Sequence, residues 1–161
     1  MSSQQTDAVR MSSNDPSVAP QGFHDVYHGR TVGILRWPQL DEFWDRLKNR
    51  AGDGWYLYAV GEAVPSAPAG GDEVVRFIDE IDALLRREHE HDYCGIVYAD
   101  DLETPRLIKI FDPNHLGSSC GSSGQPTPPG WVVSLLPPED VSDAMPLANN
   151  RRRWWQRLLG G

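Results

Sequence analysis

Three histidines and two cysteines are the residues of this sequence best suited to bind a metal or to act in catalysis. His89, His91 and Cys94 stand where a predicted long helix gives way to a strand. His115 and Cys120 follow in a later loop of glycines and serines. Imidazole and thiolate are preferred zinc ligands, and four of these five residues would complete a tetrahedral site. Their spacing differs from that of structural zinc modules, so a zinc-like metal site requires the two groups to meet at one end of a sheet.

Cys120 is also a candidate nucleophile, with His115 or a distant histidine as its general base. Gly117 and Gly121 would let the backbone approach a substrate closely. A catalytic thiol usually depends on a pKa lowered by a helix N-terminus or a cation, and no helix is predicted after this loop. The loop also lacks the Lys-Ser/Thr ending of a phosphate-binding loop. The sequence therefore favours a connector with an incidental cysteine.

Four aspartates lie at predicted strand ends, where acid and base groups are often displayed: Asp92, Asp100, Asp101 and Asp112. The adjacent Asp100 and Asp101 would point apart in an extended chain. Aspartate also favours the start of turns. A role in turns is therefore expected for all four.

Charge divides the chain into an acidic body and a basic tail. The 161 residues carry 23 acidic and 15 basic side chains, for a net charge of −8. Residues 151–161, RRRWWQRLLGG, contain four arginines and no acid. Because an acidic body repels phosphates, nucleic acid is not an expected partner.

The tail is amphipathic when drawn as a helix. Its two tryptophans and two leucines recur at i, i+1, i+4 and i+5 and form an apolar stripe beside the arginines. Such a segment can dock in a groove of a partner protein, rest on an anionic membrane surface or fold back over its own body. The candidate partner-binding residues are Arg151, Arg152, Arg153, Trp154, Trp155, Arg157, Leu158 and Leu159.

Apolar periodicity predicts five strands and two amphipathic helices. The helices are expected over 38–50 and 72–88. The strand at 55–60 is apolar on both faces and is therefore expected in the centre of a sheet. The remaining strands are expected within residues 30–37, 93–99, 106–111 and 131–136, the middle two as an antiparallel hairpin. The order β-α-β-α-β-β-β predicts an α+β fold, a mixed α/β two-layer sandwich.

One α+β domain is expected over residues 27–136. Residues 1–26 are polar and predicted to be disordered, residues 137–150 form a linker, and residues 151–161 form the tail. The first 22 residues lack the apolar centre of a secretory signal, and no segment approaches the roughly 18 apolar residues of a membrane span. A cytoplasmic location is therefore predicted, and in that reducing compartment both cysteines are expected as free thiols or metal ligands.

Two functions remain open from the sequence. The first is a non-catalytic accessory or adaptor protein whose acidic body and Arg/Trp tail bind a partner protein or complex. The missing catalytic signature and the division of charge favour it. The second is a metal or thiol-dependent site built from the three histidines and two cysteines, which would allow enzymatic chemistry. No cofactor other than zinc is suggested.

Overall fold

Four helices and five strands form the part of the chain that the computed structural model describes, residues 22–114, 127–141 and 148–160. The helices are α1 (Phe23–Tyr27), α2 (Trp37–Lys48), α3 (Gly71–Glu88) and α4 (Asn149–Gly160). The strands are β1 (Val32–Ile34), β2 (Tyr56–Ala59), β3 (Val97–Ala99), β4 (Leu107–Ile110) and β5 (Trp131–Ser134). They form one antiparallel sheet in the order β1-β3-β4-β5-β2. The predicted α+β class, the five strands and the β3–β4 hairpin are confirmed.

The helices α2 and α3 pack on one face of the sheet because apolar side chains recur along them at helical spacing. Pro38 lies in the first turn of α2, where its missing N–H costs no hydrogen bond. At the start of α3, the Gly70 N–H donates to the Glu73 carboxylate at 2.9 Å. The buried stripes are Leu40, Phe43, Trp44 and Leu47 on α2, and Val74, Phe77, Ile78, Ile81, Leu84 and Leu85 on α3.

The short helix α1 covers the opposite face of the sheet. Its apolar side chains are buried in a second, smaller core, which contains Phe23, Val26, Tyr27, Tyr58, Val60, Leu107 and Val132. Residues 1–26 were expected to be disordered. For the last residues of that segment the prediction is wrong, because Phe23–Tyr27 form a helix that packs on the sheet. Residues 1–21 lie outside the described residues.

The strand expected at the centre of the sheet, β2, lies instead at its edge, beside β5. Its residues are apolar on both sides because both faces of the sheet are covered. Leu57 and Ala59 face the main core, whereas Tyr58 and Val60 face the core under α1. Burial on two faces, and not a central position, explains the sequence pattern.

The segment expected as a linker, residues 137–150, is partly folded. Val141 packs at the margin of the second core, and its N–H donates to the Tyr58 hydroxyl at 3.4 Å. Helix α4 begins at Asn149, within the same segment, and residues 142–147 lie outside the described residues. None of the described helices is long and apolar enough to cross a membrane.

Gly33 on β1 provides a test of the sheet packing. A Cβ at this position would lie 2.8 Å from Cε2 of Tyr98 on the neighbouring strand. Gly33→Ala is therefore expected to lower the free energy of unfolding by about 1–3 kcal/mol, as overpacking does. Urea denaturation measures the change. Gly52→Ala is the control, because no atom lies within 4 Å of its added Cβ, and unchanged stability of Gly33→Ala would contradict the packing.

Candidate functional site

Arg151, in the first turn of α4, is buried between two carboxylates. Its Nε and Nη2 donate to Oδ2 and Oδ1 of Asp112, each at 2.9 Å. Its Nη1 and Nη2 donate to Oε2 and Oε1 of Glu88, at 3.2 and 2.7 Å. Arg151 is only 4% exposed. Two-point contacts on both sides fix the planar guanidinium in one orientation.

Three elements bring these groups together. Glu88 is the last residue of α3, and Asp112 lies two residues after β4. They are 63 and 39 residues from Arg151 in the sequence. The Asn114 N–H donates to Oδ1 of Asp112 at 2.9 Å, so the expected turn at Asp112 is present and holds the carboxylate in place. A Cβ on Gly130 would lie 3.2 Å from the Cβ of Asp112, so glycine at this position allows the two segments of backbone to lie close together.

Hydrogen bonding sets the protonation of this cluster. The bonds from Arg151 hold the pKa of Glu88 below its ordinary value of 4.5. Burial alone would lower the pKa of Arg151, but the hydrogen bonds to Asp112 and Glu88 outweigh burial and raise it. Arg151 therefore stays cationic and Glu88 anionic at neutral pH.

The apolar stripe of α4 packs on its own body. The Trp154 ring meets the Trp131 ring of β5 edge to face, with centroids 5.6 Å apart. Trp155 meets Phe77 of α3 in the same manner, with centroids 6.0 Å apart. Leu158 is 5% exposed. Of the three expected uses of the tail, the structure shows the intramolecular one.

A second ion pair holds the first turn of α4, between Arg152 and Glu62 at 3.2 Å. Of the eight candidate partner-binding residues, three are buried against the body: Arg151, Trp154 and Leu158. Arg152, Trp155 and Leu159 are half-buried, and Arg153 and Arg157 are exposed. The docked helix can therefore offer a partner only part of the predicted set.

Three exposed arginines lie where the outer side of α4 meets α3. Arg153 and Arg157 are one helical turn apart, and the exposed Arg76 of α3 donates from Nη2 to the Arg157 carbonyl oxygen at 3.5 Å. Within the described ranges, no carboxylate forms an ion pair with any of the three. We call Arg76, Arg153 and Arg157 the α4 arginine patch.

Three of the five residues of the predicted metal or thiol site lie in the described part of the chain, so the site as a whole stays a prediction. Nε2 of His89 donates to the Cys94 carbonyl oxygen at 2.8 Å, and burial lowers the pKa of His89. Cys94 is fully buried, and burial raises the pKa of its thiol. His91 stacks edge to face on His89, with ring centroids 4.6 Å apart. His115 and Cys120 lie outside the described residues, and among those described no three His, Cys, Asp or Glu side chains are arranged to hold a metal.

Asp100 and Asp101 organise the turn between β3 and β4, as expected. Oδ1 of Asp101 accepts the Glu103 and Thr104 N–H groups at 2.8 and 3.0 Å. Asp100 accepts the Arg106 N–H at 2.8 Å and pairs with its side chain at 2.9 Å. Both carboxylates are therefore occupied by the turn itself.

The Glu88–Asp112–Arg151 cluster was not predicted from the sequence. Its one signal is the block Arg151–Arg153 at a helix start, where the helix dipole disfavours cations. A cation in that position needs acids from elsewhere in the fold. The sequence does not indicate which of its 23 acidic residues supply them.

Removing the buried cation tests the cluster. Arg151→Ala would remove the cation that pairs with the buried Asp112 and the half-buried Glu88, and it is expected to lower the free energy of unfolding by about 3 kcal/mol. The matched control is Arg153→Ala, two residues along the same helix but exposed, with an expected change within about 0.5 kcal/mol. Equal denaturation midpoints for the two variants would contradict the described cluster.

The lowered pKa of Glu88 predicts a loss of stability in acid. As pH falls below 4.5, the unfolded chain protonates Glu88 before the folded chain does, so protonation favours unfolding. The stabilisation that ionised Glu88 provides is fully present above pH 4.5. It is lost as the pH falls through the lower pKa that Glu88 has in the folded protein. Urea denaturation at pH values on both sides of 4.5 should show a shallower pH dependence for Glu88→Gln than for the wild type. Parallel curves would rule out this role of Glu88.

Comparisons with known proteins identify no relative. No family model matches the chain, no curated protein matches its sequence, and no solved structure matches its fold. Its function has to be inferred from its own residues.

Proposed function

We propose that this chain is a non-catalytic accessory or adaptor protein that binds a partner protein through the exposed side of α4. The observation that carries the proposal is the α4 arginine patch. It places exposed cations, without carboxylate partners among the described residues, on a protein of net charge −8. An acidic surface on a partner would supply the missing counter-charges.

The arrangement of the patch is unfavourable in the isolated protein. Like charges one turn apart, such as Arg153 and Arg157, destabilise a helix by about 0.2–0.5 kcal/mol. The body neutralises the neighbouring Arg151 and Arg152 with acids of its own. Arg153 and Arg157 have no such compensation within the described residues. An acidic partner would relieve this repulsion, which supports a binding role for the patch.

The geometry of α4 favours a protein over a membrane as the partner. A membrane surface would take up the apolar side of the helix. That side, with Trp154 and Leu158, is buried in the domain core. A partner protein needs only the exposed arginines and the half-exposed edges of Trp155 and Leu159, a polar surface with an apolar margin.

The same proposal includes the cytoplasm as the compartment, in keeping with the free thiol of Cys94. The metal or thiol alternative stays a prediction, because His115 and Cys120 lie outside the described residues. His89 is hydrogen-bonded to the backbone, and Cys94 is buried with a raised thiol pKa. Neither observation favours ligation or nucleophilic attack.

Charge reversal tests the proposed surface. The double variant Arg153→Glu/Arg157→Glu should lose the partner protein that is recovered by reversible cross-linking and purification from the native cell. The matched comparison is Arg30→Glu/Arg36→Glu, the same change of charge at the far edge of the sheet, which should retain a partner that is cross-linked through α4. Thermal unfolding of both variants checks that they are folded, since all four arginines are exposed.

Recovery of the same partner at wild-type levels with the α4 variant would refute the proposal. So would wild-type protein that binds anionic phospholipid vesicles and recovers no protein. Deletion of residues 151–161 is a poorer test, because it also uncovers Trp131 and leaves Glu88 and Asp112 without Arg151.

A further inference from the structure

The exposed large apolar side chains of the described residues gather at one edge of the sheet. Val32 on β1 is 49% exposed, and Leu35, just after β1, is 60% exposed. The third is Tyr93, at 58%. The Cys94 N–H donates to the Leu35 carbonyl oxygen at 2.7 Å, which places Tyr93 beside Leu35. Adjacent exposed apolar side chains, such as those of Leu35 and Tyr93, are a feature of interaction surfaces.

Backbone groups of β1 are open at the same edge. Among the described residues, β1 pairs only with β3. The Ile34 carbonyl oxygen accepts the Gly95 N–H at 2.9 Å, so the peptide groups of Ile34 face β3. Because successive residues of a strand alternate in direction, the N–H and C=O of Gly33 face the open side. An open edge of this kind is where an extended chain can add as a further strand.

Two arginines flank this edge, Arg30 before β1 and Arg36 after it. Both are exposed, and neither forms an ion pair within the described ranges. Asp25, Asp100 and Asp101 line a cavity together with Arg30, but none of them forms an ion pair with it: Asp100 binds Arg106, and the other two accept backbone N–H groups. Residues opposite one another on neighbouring strands are stabilised by opposite charge and destabilised by like charge. The edge therefore favours a strand that carries an acid at each end.

The same charges disfavour a second copy of this chain. If two β1 strands paired antiparallel about Gly33, Arg30 of one copy would lie opposite Arg36 of the other. Both ends of the pairing would then place like charges together.

A cavity of about 300 Å³ lies beside the edge and offers an anchor point. It is lined by Trp37, Arg86, His89, Glu90, His91 and Asp92. The Arg86 guanidinium stands over the Trp37 ring, with its Cζ 4.9 Å from the ring centroid. Tryptophan, tyrosine and arginine are the residues that most often dominate binding energy at interfaces.

We propose that β1 accepts an extended segment of a partner protein as a sixth strand of the sheet. The segment would carry acidic residues opposite Arg30 and Arg36, apolar residues against Val32 and Leu35, and a large apolar side chain near Trp37 and Tyr93. This inference rests on the proposed adaptor function and adds to it a second binding surface.

The probe is a seven-residue peptide in which threonine and valine alternate between two terminal glutamates, except for one tryptophan beside the glutamate that faces Arg36. Titrated into the isotope-labelled full chain, it should shift the NMR signals of Val32, Gly33 and Ile34. It should also slow hydrogen exchange at the Gly33 amide by about tenfold. A peptide with proline at its centre, which cannot continue the hydrogen-bond ladder, should do neither.

A reciprocal exchange of charge makes the test specific. The peptide with terminal lysines should bind the wild type about fivefold more weakly than the glutamate peptide, and Arg30→Glu/Arg36→Glu should reverse this order.

The inference is overturned if the peptide leaves the β1 signals unchanged, or if the charge exchange does not alter its preference. It is also overturned if the Gly33 amide is already protected in the protein alone, since the edge is then filled by this chain itself. Failure of the peptide assay leaves the α4 cross-linking result unaffected. Failure of the α4 result likewise leaves the peptide assay intact, so the two proposals can fail separately.

Discussion

The position of the Arg151 guanidinium between Asp112 and Glu88 is the interaction that fixes α4 against α3 and the sheet. It joins the end of α3, the end of β4 and the start of α4 in one buried cluster. The guanidinium neutralises the buried Asp112 and the half-buried Glu88 together, and removing the cation from such a cluster is strongly destabilising. The two carboxylates are therefore neutralised by Arg151 only when α4 is docked. In the same docked position Trp154 packs on Trp131 and Trp155 on Phe77, so α4 is part of the domain core.

The same cluster determines which side of α4 faces outward. With Arg151 fixed inward, the positions that follow at helical spacing, Trp154 and Leu158, also turn inward. Arg153 and Arg157 are then carried to the opposite side, where they are exposed. A helix held only by its apolar stripe could rotate by part of a turn, because apolar contacts are not directional. The two-point hydrogen bonds of Arg151 are directional, and they make the exposed arginine patch a fixed surface.

Local patterns in the sequence were enough to predict most elements of the fold, whereas contacts between distant residues were not predictable. The stripe from Val74 to Leu85 forms α3, and the polar segment at 100–105 forms the hairpin turn, because periodicity and turn chemistry act over a few residues. The edge position of β2 could not be deduced, since strands buried on two faces have the same composition at an edge as at the centre. The partners of Arg151 could not be deduced either, because they lie 39 and 63 residues away in the sequence. Without those partners, three consecutive arginines resemble an exposed basic block.

The layout of the sheet allows the two proposed surfaces to act independently. Helix α4 lies over β5 through Trp154 and Trp131, whereas β1 is the far edge of the sheet. Three strand spacings separate β1 from β5, about 14 Å. This exceeds the Debye length of about 8 Å at physiological ionic strength, so charge brought to one surface is largely screened at the other. Since the net charge of −8 gives an acidic partner no long-range attraction, binding at each surface depends on short-range contacts with its own arginines. Each surface can therefore select its partner by local complementarity, which is the property that an adaptor with two binding sites requires.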